Sequence, residues 1–163
     1  MGNIRQITEK EWDEIAVPEY IALLPLDASE FEEIYGFSPL EYVEDGLGPT
    51  KAFILQVEDS KYWLRSHPDA GDLASKLSIE VRSFEPDTEV ALVKLLDALQ
   101  LDKESLVHCQ EYLGPAQWIL YRIDDNGNEV EMNRFHRELS ANGIKSIYEK
   151  RGHKQAYFVT KST

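Results

Sequence analysis

Four histidines, one cysteine and thirty acidic residues are the chemically capable groups in this chain of 163 residues. Metal binding needs ligands at a spacing that returns them to one side, such as i and i+4 on a helix or an H-E-x-x-H run. His67, His108, His136 and His153 follow neither pattern, so each reads as a surface or structural histidine. His108-Cys109 holds both halves of a nucleophile–base pair. Adjacent side chains diverge on a strand or a helix, however, so Cys109 reads as a partly buried structural thiol. A single cysteine excludes an intramolecular disulfide and cysteine-rich zinc sites.

Asp124-Asp125-Asn126-Gly127-Asn128 offers oxygen ligands around a glycine, as a calcium loop would. The bidentate acid expected six residues past that glycine is missing, since Asn133 stands there. A hairpin turn is the better reading. Gly46-Leu47-Gly48-Pro49 is no phosphate cradle, because proline lacks the amide that such a loop would present. Nucleophile-elbow, P-loop and kinase signatures are absent. No cofactor or metal is expected, and catalysis would need a site assembled from dispersed carboxylates and histidines.

Charge is the stronger signal. From Glu11 to Thr50 the chain carries eleven acids and no lysine or arginine. Residues 1–113 hold 24 acids against 9 bases, and residues 114–163 hold 6 against 8, which together make the net charge of −13. A field this one-sided repels nucleic acid and anionic membrane and attracts basic partners. Glu11-Trp12-Asp13-Glu14 and Glu30-Phe31-Glu32-Glu33 each interleave an aromatic residue with acids. Either run could be a solvated helix face or an aromatic-anchored acidic surface. The tail carries the opposite sign: Arg134, Arg137, Lys145, Lys150, Arg151 and Lys154, with Tyr121, Phe135 and Tyr148 among them. Its net of +2 is weak for phosphate-driven binding.

Folded elements must position these groups. Hydrophobic content of 42% and three tryptophans spread along the chain favour a packed core over disorder. Thr8-Glu9-Lys10-Glu11 predicts a capping box and a helix to about Ala16, before Pro18. Tyr20–Leu24 predicts a strand ended by Pro25. Asp27 or Ser29 then caps a helix with Phe31, Ile34 and Tyr35 on one face and Gly36 as its stop. Residues 52–57 and 61–66 predict a hairpin, and the alternation Leu77, Ile79, Val81, Phe84 predicts a half-buried strand. After Pro86, Asp87 or Thr88 caps a helix whose broad apolar surface is Val90, Val93, Leu96 and Leu101, with Leu92, Leu95 and Leu99 beside them. Residues 105–113 suit a strand or a helix equally.

Past Gly114-Pro115, Asn126-Gly127 between two apolar runs predicts a type I′ hairpin. Leu139, Ile144, Ile147 and Tyr148 predict a helix stopped by Gly152, and residues 156–160 a final strand.

The expected fold is therefore α+β: an acidic domain, residues 1–113, with a mostly antiparallel sheet and about three helices, then a ββαβ module, residues 114–163. No apolar run is long enough to span a membrane, and residues 1–15 lack a signal-peptide core, so the expected compartment is the cytoplasm. The expected function is non-enzymatic binding of a basic protein partner. Its most concrete form is a bacterial immunity-type inhibitor covering a cationic nuclease toxin. Trp12, Glu14, Glu30, Glu33, Glu41, Glu44 and Asp45 are the expected partner-binding residues. Two other functions compete: a nucleic-acid or regulatory module acting through the basic tail, and a small hydrolase with a dispersed carboxylate/histidine site.

Overall fold

The computed structural model describes residues 3–12, 18–82, 85–110, 115–152 and 155–163. It has an α+β fold with a mostly antiparallel sheet, four α-helices and a second, three-stranded sheet at the C-terminus. The chain divides into two compact units, Met1–Gln110 and Glu111–Thr163. The expected boundary at residues 113 and 114 lies outside the described residues. No helix among the described residues is long and apolar enough to cross a membrane.

The first unit runs β1 (Ile4–Gln6), α1 (Glu9–Trp12), β2 (Pro18–Asp27), α2 (Ala28–Tyr35), β3 (Leu40–Glu44), β4 (Gly48–Val57), β5 (Ser60–Ser66), β6 (Lys76–Arg82), α3 (Thr88–Leu99) and β7 (His108–Cys109). The sheet order is β1-β4-β5-β6-β2-β7, and β3 pairs with β4 on the same edge that β1 uses. β1 takes residues 55–57 of β4, and β3 takes residues 48–52. Two short strands thus share one long edge.

Alternation along the strands sorts side chains onto two faces. Phe53, Leu55 and Val57 of β4, with Tyr62 and Leu64 of β5, join Phe31 of α2 and Leu92, Leu95 and Leu96 of α3 in the main core. Tyr35 Oη donates to the Leu99 carbonyl at 2.9 Å and ties the two helices together. The intervening residues face the other way. There Ile54 packs with Ile7 and Trp12, against Leu40 and Trp63.

The local caps follow the sequence. Thr8 N–H donates to Glu11 Oε2 at 2.8 Å, and Glu11 N–H returns the bond to Thr8 Oγ1 at 3.3 Å. α1 is described to Trp12, and the rest of the expected helix, residues 13–16, lies outside the described residues. Asp27 and Glu30 form a second capping box, and Gly36 ends α2 in the left-handed conformation at φ 75°. Asp87 caps α3.

Other expectations need correction. Pro25 does not end β2, which continues to Asp27. The pairing of β2 with β6 slips between Leu23 and Asp27, so the ladder asks no amide of proline there. Ile34 is 59% exposed, outside the Phe31–Tyr35 face, because the short α2 buries only a narrow stripe. Residues 103–105 form a single 3-10 turn and residues 108–109 a two-residue edge strand, while residues 111–114 lie outside the described residues.

The second unit consists of β8 (Trp118–Ile123), β9 (Glu129–Phe135), α4 (Glu138–Lys150) and β10 (Ala156–Lys161). β8 is the central strand, antiparallel to both neighbours, so the unit is a ββαβ module. Ser140, Ala141, Ile144 and Tyr148 form the buried stripe of α4, whereas Leu139 is 75% exposed. The hairpin loop is not type I′. Only Gly127 has positive φ, at 81°, and Asn126 does not. The Asp124 carboxylate accepts from the amides of Asn126 and Asn128 at 2.9 and 2.8 Å, which favours a type I turn closed by a left-handed glycine.

Candidate functional site

The face of the large sheet that carries no α2 or α3 holds a pocket of about 640 Å³. Its position follows from register. Trp63 stands directly opposite Ile54 on β4 and Glu80 on β6, and Arg65 lies two residues along β5 on the same face. β3, docked on the β4 edge, adds Leu40, Tyr42 and Glu44 at alternate positions. The capped turn of α1 lays Trp12 against Trp63 edge-to-face, at 5.5 Å and 81°.

The floor and walls are therefore Trp12, Trp63, Tyr42, Leu40 and Pro18. Charge comes from Glu9, Glu41 and Glu44 against the single guanidinium of Arg65. Arg65 is answered twice. Its Nε donates to Glu80 and its Nη1 donates to Glu44 at 2.9 Å, while its guanidinium carbon lies 5.6 Å from the Trp63 ring centroid. Burial works against the Arg65 charge, but the bonds to Glu80 and Glu44 outweigh it and hold the guanidinium above its ordinary value. Burial pushes the Glu80 carboxyl upward, and Arg65 opposes that rise. Burial likewise pushes the Tyr42 phenol up, with Arg65 and the Trp63 indole N–H pulling it down and Glu44 pushing it further up. Trp63, Tyr42, Glu44 and Arg65 thus form a row of facing polar groups. Tyr42 Oη and Trp63 Nε1 are buried without closing a hydrogen bond of normal geometry.

The remaining carboxylates are less committed. Glu41 has one ion pair, 3.6 Å from Lys51, with both side chains in contact with water. Glu9 has no ion pair among the described residues.

Of the expected partner-binding residues, the structure brings Trp12, Glu41 and Glu44 to this pocket. Asp45 follows Glu44 in the β3–β4 turn and is exposed. Glu30 and Glu33 sit on α2, which packs on the other face, and the Glu30 carboxylate is engaged in the helix cap. Glu14 lies outside the described residues. Sequence reading missed Tyr42, Trp63, Arg65 and Glu9. For two of them a signal existed: in the β5 run, Tyr62 and Leu64 alternate with Trp63 and Arg65, placing the latter pair on a separate face.

Among the described residues the histidine and cysteine candidates do not assemble a reactive site, and His153 lies outside the described residues. His67 Nδ1 lies 3.0 Å from Thr50 Oγ1, whose hydroxyl donates to the Gly48 carbonyl at 3.2 Å. The Gly48 carbonyl and His67 Nδ1 both lie within reach of the single Thr50 hydroxyl proton, which is a structural arrangement between neighbouring strands. His108 Nδ1 lies 2.9 Å from Tyr20 Oη, while Cys109 packs against the main core. Among the described residues no three histidine, cysteine, aspartate or glutamate side chains are grouped to hold a metal ion. No family model, curated protein or solved structure matches this chain.

Proposed function

We propose that this chain is a non-enzymatic binding protein that engages a basic macromolecular partner through the acidic, aromatic face of its first unit. Its most concrete form is a bacterial immunity-type inhibitor covering a cationic nuclease toxin. The observation that carries this reading is the pocket itself, which three acidic residues and three large aromatic residues line around one already neutralised guanidinium. Acids around a desolvated aromatic centre suit a basic partner twice over: charge speeds encounter, and buried rings supply affinity. The exposed acid Asp45, in the turn after Glu44, has no ion pair among the described residues and extends the negative field beyond the pocket.

The test is binding to a panel of purified cationic nuclease domains, with lysozyme and cytochrome c as basic controls. A true partner binds far more tightly than the controls, and its association rate falls about tenfold or more from low to physiological salt. Changing Glu9, Glu41 and Asp45 together to lysine abolishes binding without touching a helix cap or the Arg65 pairs. Binding that ignores salt, or that survives the triple change, overturns the proposal.

A second reading, nucleic-acid binding by the second unit, is favoured by one observation. Tyr121 and Phe158 stack at 5.1 Å on neighbouring strands, with Lys161 placed 5.5 Å from the Trp118 ring. Base stacking on such a pair is worth about 1–3 kcal/mol per base. Single-stranded RNA or DNA retained by the full chain and released by Phe158→Ala would favour it.

A further inference from the structure

We infer that the pocket between β3, β5 and α1 is an arginine receptor, taking one guanidinium-bearing side chain that the basic partner inserts. This inference rests on the reading above and deepens it. The pocket volume of about 640 Å³ lies in the range that encloses a small ligand or an inserted side chain, not the range of a packing defect.

The lining chooses the chemistry. An anion is disfavoured, because the sole cation, Arg65, already bonds to both Glu44 and Glu80. A purely apolar ligand would force Glu9 to lose water without compensation. A cation on an apolar stem satisfies both demands. Its stem lies along Leu40, Pro18 and the indole of Trp63, and its head reaches Glu9, the lining carboxylate with no ion pair among the described residues, while the Glu41 carboxylate is turned to Lys51.

Guanidinium suits this site better than ammonium. It is planar, weakly hydrated and able to stack on an aromatic face while donating to carboxylates in its own plane. The protein already contains that arrangement: Arg65 sits 5.6 Å from the Trp63 centroid and donates to two glutamates. An incoming arginine would repeat on the open side of the pocket what Arg65 does on the closed side.

The experiment uses the full chain and three probes: a pentapeptide with one central arginine and blocked termini, the same peptide with citrulline, and the free alkylguanidine agmatine. Citrulline keeps the shape of arginine and removes its charge. The readout is the NMR shift of the Trp63 indole N–H, assigned through its loss in Trp63→Phe. The arginine peptide is expected to move this signal with a Kd of about millimolar or tighter. Citrulline leaves it in place, and agmatine binds at least about fivefold more weakly than the peptide.

Glu9→Gln, at an exposed side chain, weakens the peptide about three- to tenfold with the fold intact, while Glu41→Gln, whose carboxylate faces Lys51, changes it less than about twofold. Equal response to citrulline, or insensitivity to Glu9→Gln, overturns the inference. Agmatine binding as tightly as the peptide overturns the assignment to a polypeptide side chain and points to a free guanidine. If the peptide fails while a basic protein still binds with salt dependence, the receptor pocket falls and the acidic-surface reading stands. If the peptide binds and no basic protein does, the reverse holds.

Discussion

Arg65 reaches diagonally across the β5–β6 ladder to donate from Nε to Glu80, while its Nη1 holds Glu44 of β3 at 2.9 Å. One side chain thereby joins three strands, two of them neighbours in the sheet and the third docked on the far edge of β4. Removing it strands two half-buried carboxylates. Arg65→Met is expected to cost about 2–3 kcal/mol in urea denaturation at pH 7. Arg65→Met combined with Glu80→Gln should recover part of that loss, because the unpaired charge is gone. The Glu80 carboxyl already sits above its ordinary range through burial, so the folded state holds its proton more tightly than the unfolded chain does. The deficit of Arg65→Met should therefore shrink as the pH falls into the carboxylate range. A deficit that grows on acidification would contradict this assignment.

Glu85 titrates with the same sign for the same reason. Burial pushes its carboxyl upward, with the Lys94 ammonium and the Ser60 hydroxyl pulling it back. A carboxyl raised by folding costs stability once it ionises, so the cost appears as the pH rises past the unfolded value. Glu85→Gln keeps an acceptor for Ser60 and removes the charge. Its stability should match the parent near pH 4 and exceed it at pH 7, as measured by denaturation at both values. A gap that is widest at pH 4 would show that the attraction of the more distant Lys94 charge dominates instead.

The caps of α2 are separable by mutation. Asp27→Ala removes the acceptor for the Glu30 amide, 2.8 Å away, and is expected to cost about 1 kcal/mol. Gly36→Ala meets no atom within 4 Å but must adopt φ near 75°, so its cost is the left-handed strain alone, about 1 kcal/mol. The two sites lie at opposite ends of the helix with no shared partner. Their effects should add within about 0.5 kcal/mol in urea titrations.

Tyr62 is fully buried and its hydroxyl donates to the Ala91 carbonyl in the first turn of α3. Burial pushes the phenol well above its ordinary range, so it stays protonated at any working pH. Tyr62→Phe keeps the ring in the core and deletes one bond. The expected loss is about 0.5–1.5 kcal/mol, with an unchanged denaturant slope. A larger loss would mean that this bond positions α3 on the sheet.

Signals that act over a few residues were legible in the sequence. Thr8 with Glu11, Asp27 with Glu30, Gly36, and Asp87 all close bonds within one helical turn, so residue type and spacing reveal them without knowledge of the fold. The alternation of Leu77, Ile79 and Val81 was equally direct, because β6 buries one face along its length. Strand β3 was not legible. Leu40, Tyr42 and Glu44 alternate with Glu41 and Val43 without a clean apolar face, and what orders them is the free edge of β4. The loop at Asn126 was misjudged for a related reason. An Asn-Gly pair permits type I′, but the Asp124 carboxylate captures two amides and selects another turn.

What the sequence by itself determined is therefore the α+β class, the capped helices, and an acid-rich first unit beside a ββαβ tail. These depend on local propensity and on charge, which are properties of residue type. Only the tertiary structure decided which acids work together. Glu30 and Glu33 share a lysine-free stretch with Glu44, yet α2 carries the first two to one face of the sheet and β3 carries Glu44 to the other. Trp12 and Trp63 meet across fifty-one positions of sequence because β1 and β3 both dock on one edge of β4. Register between distant strands sets that meeting, and register depends on the whole buried face, not on any one segment.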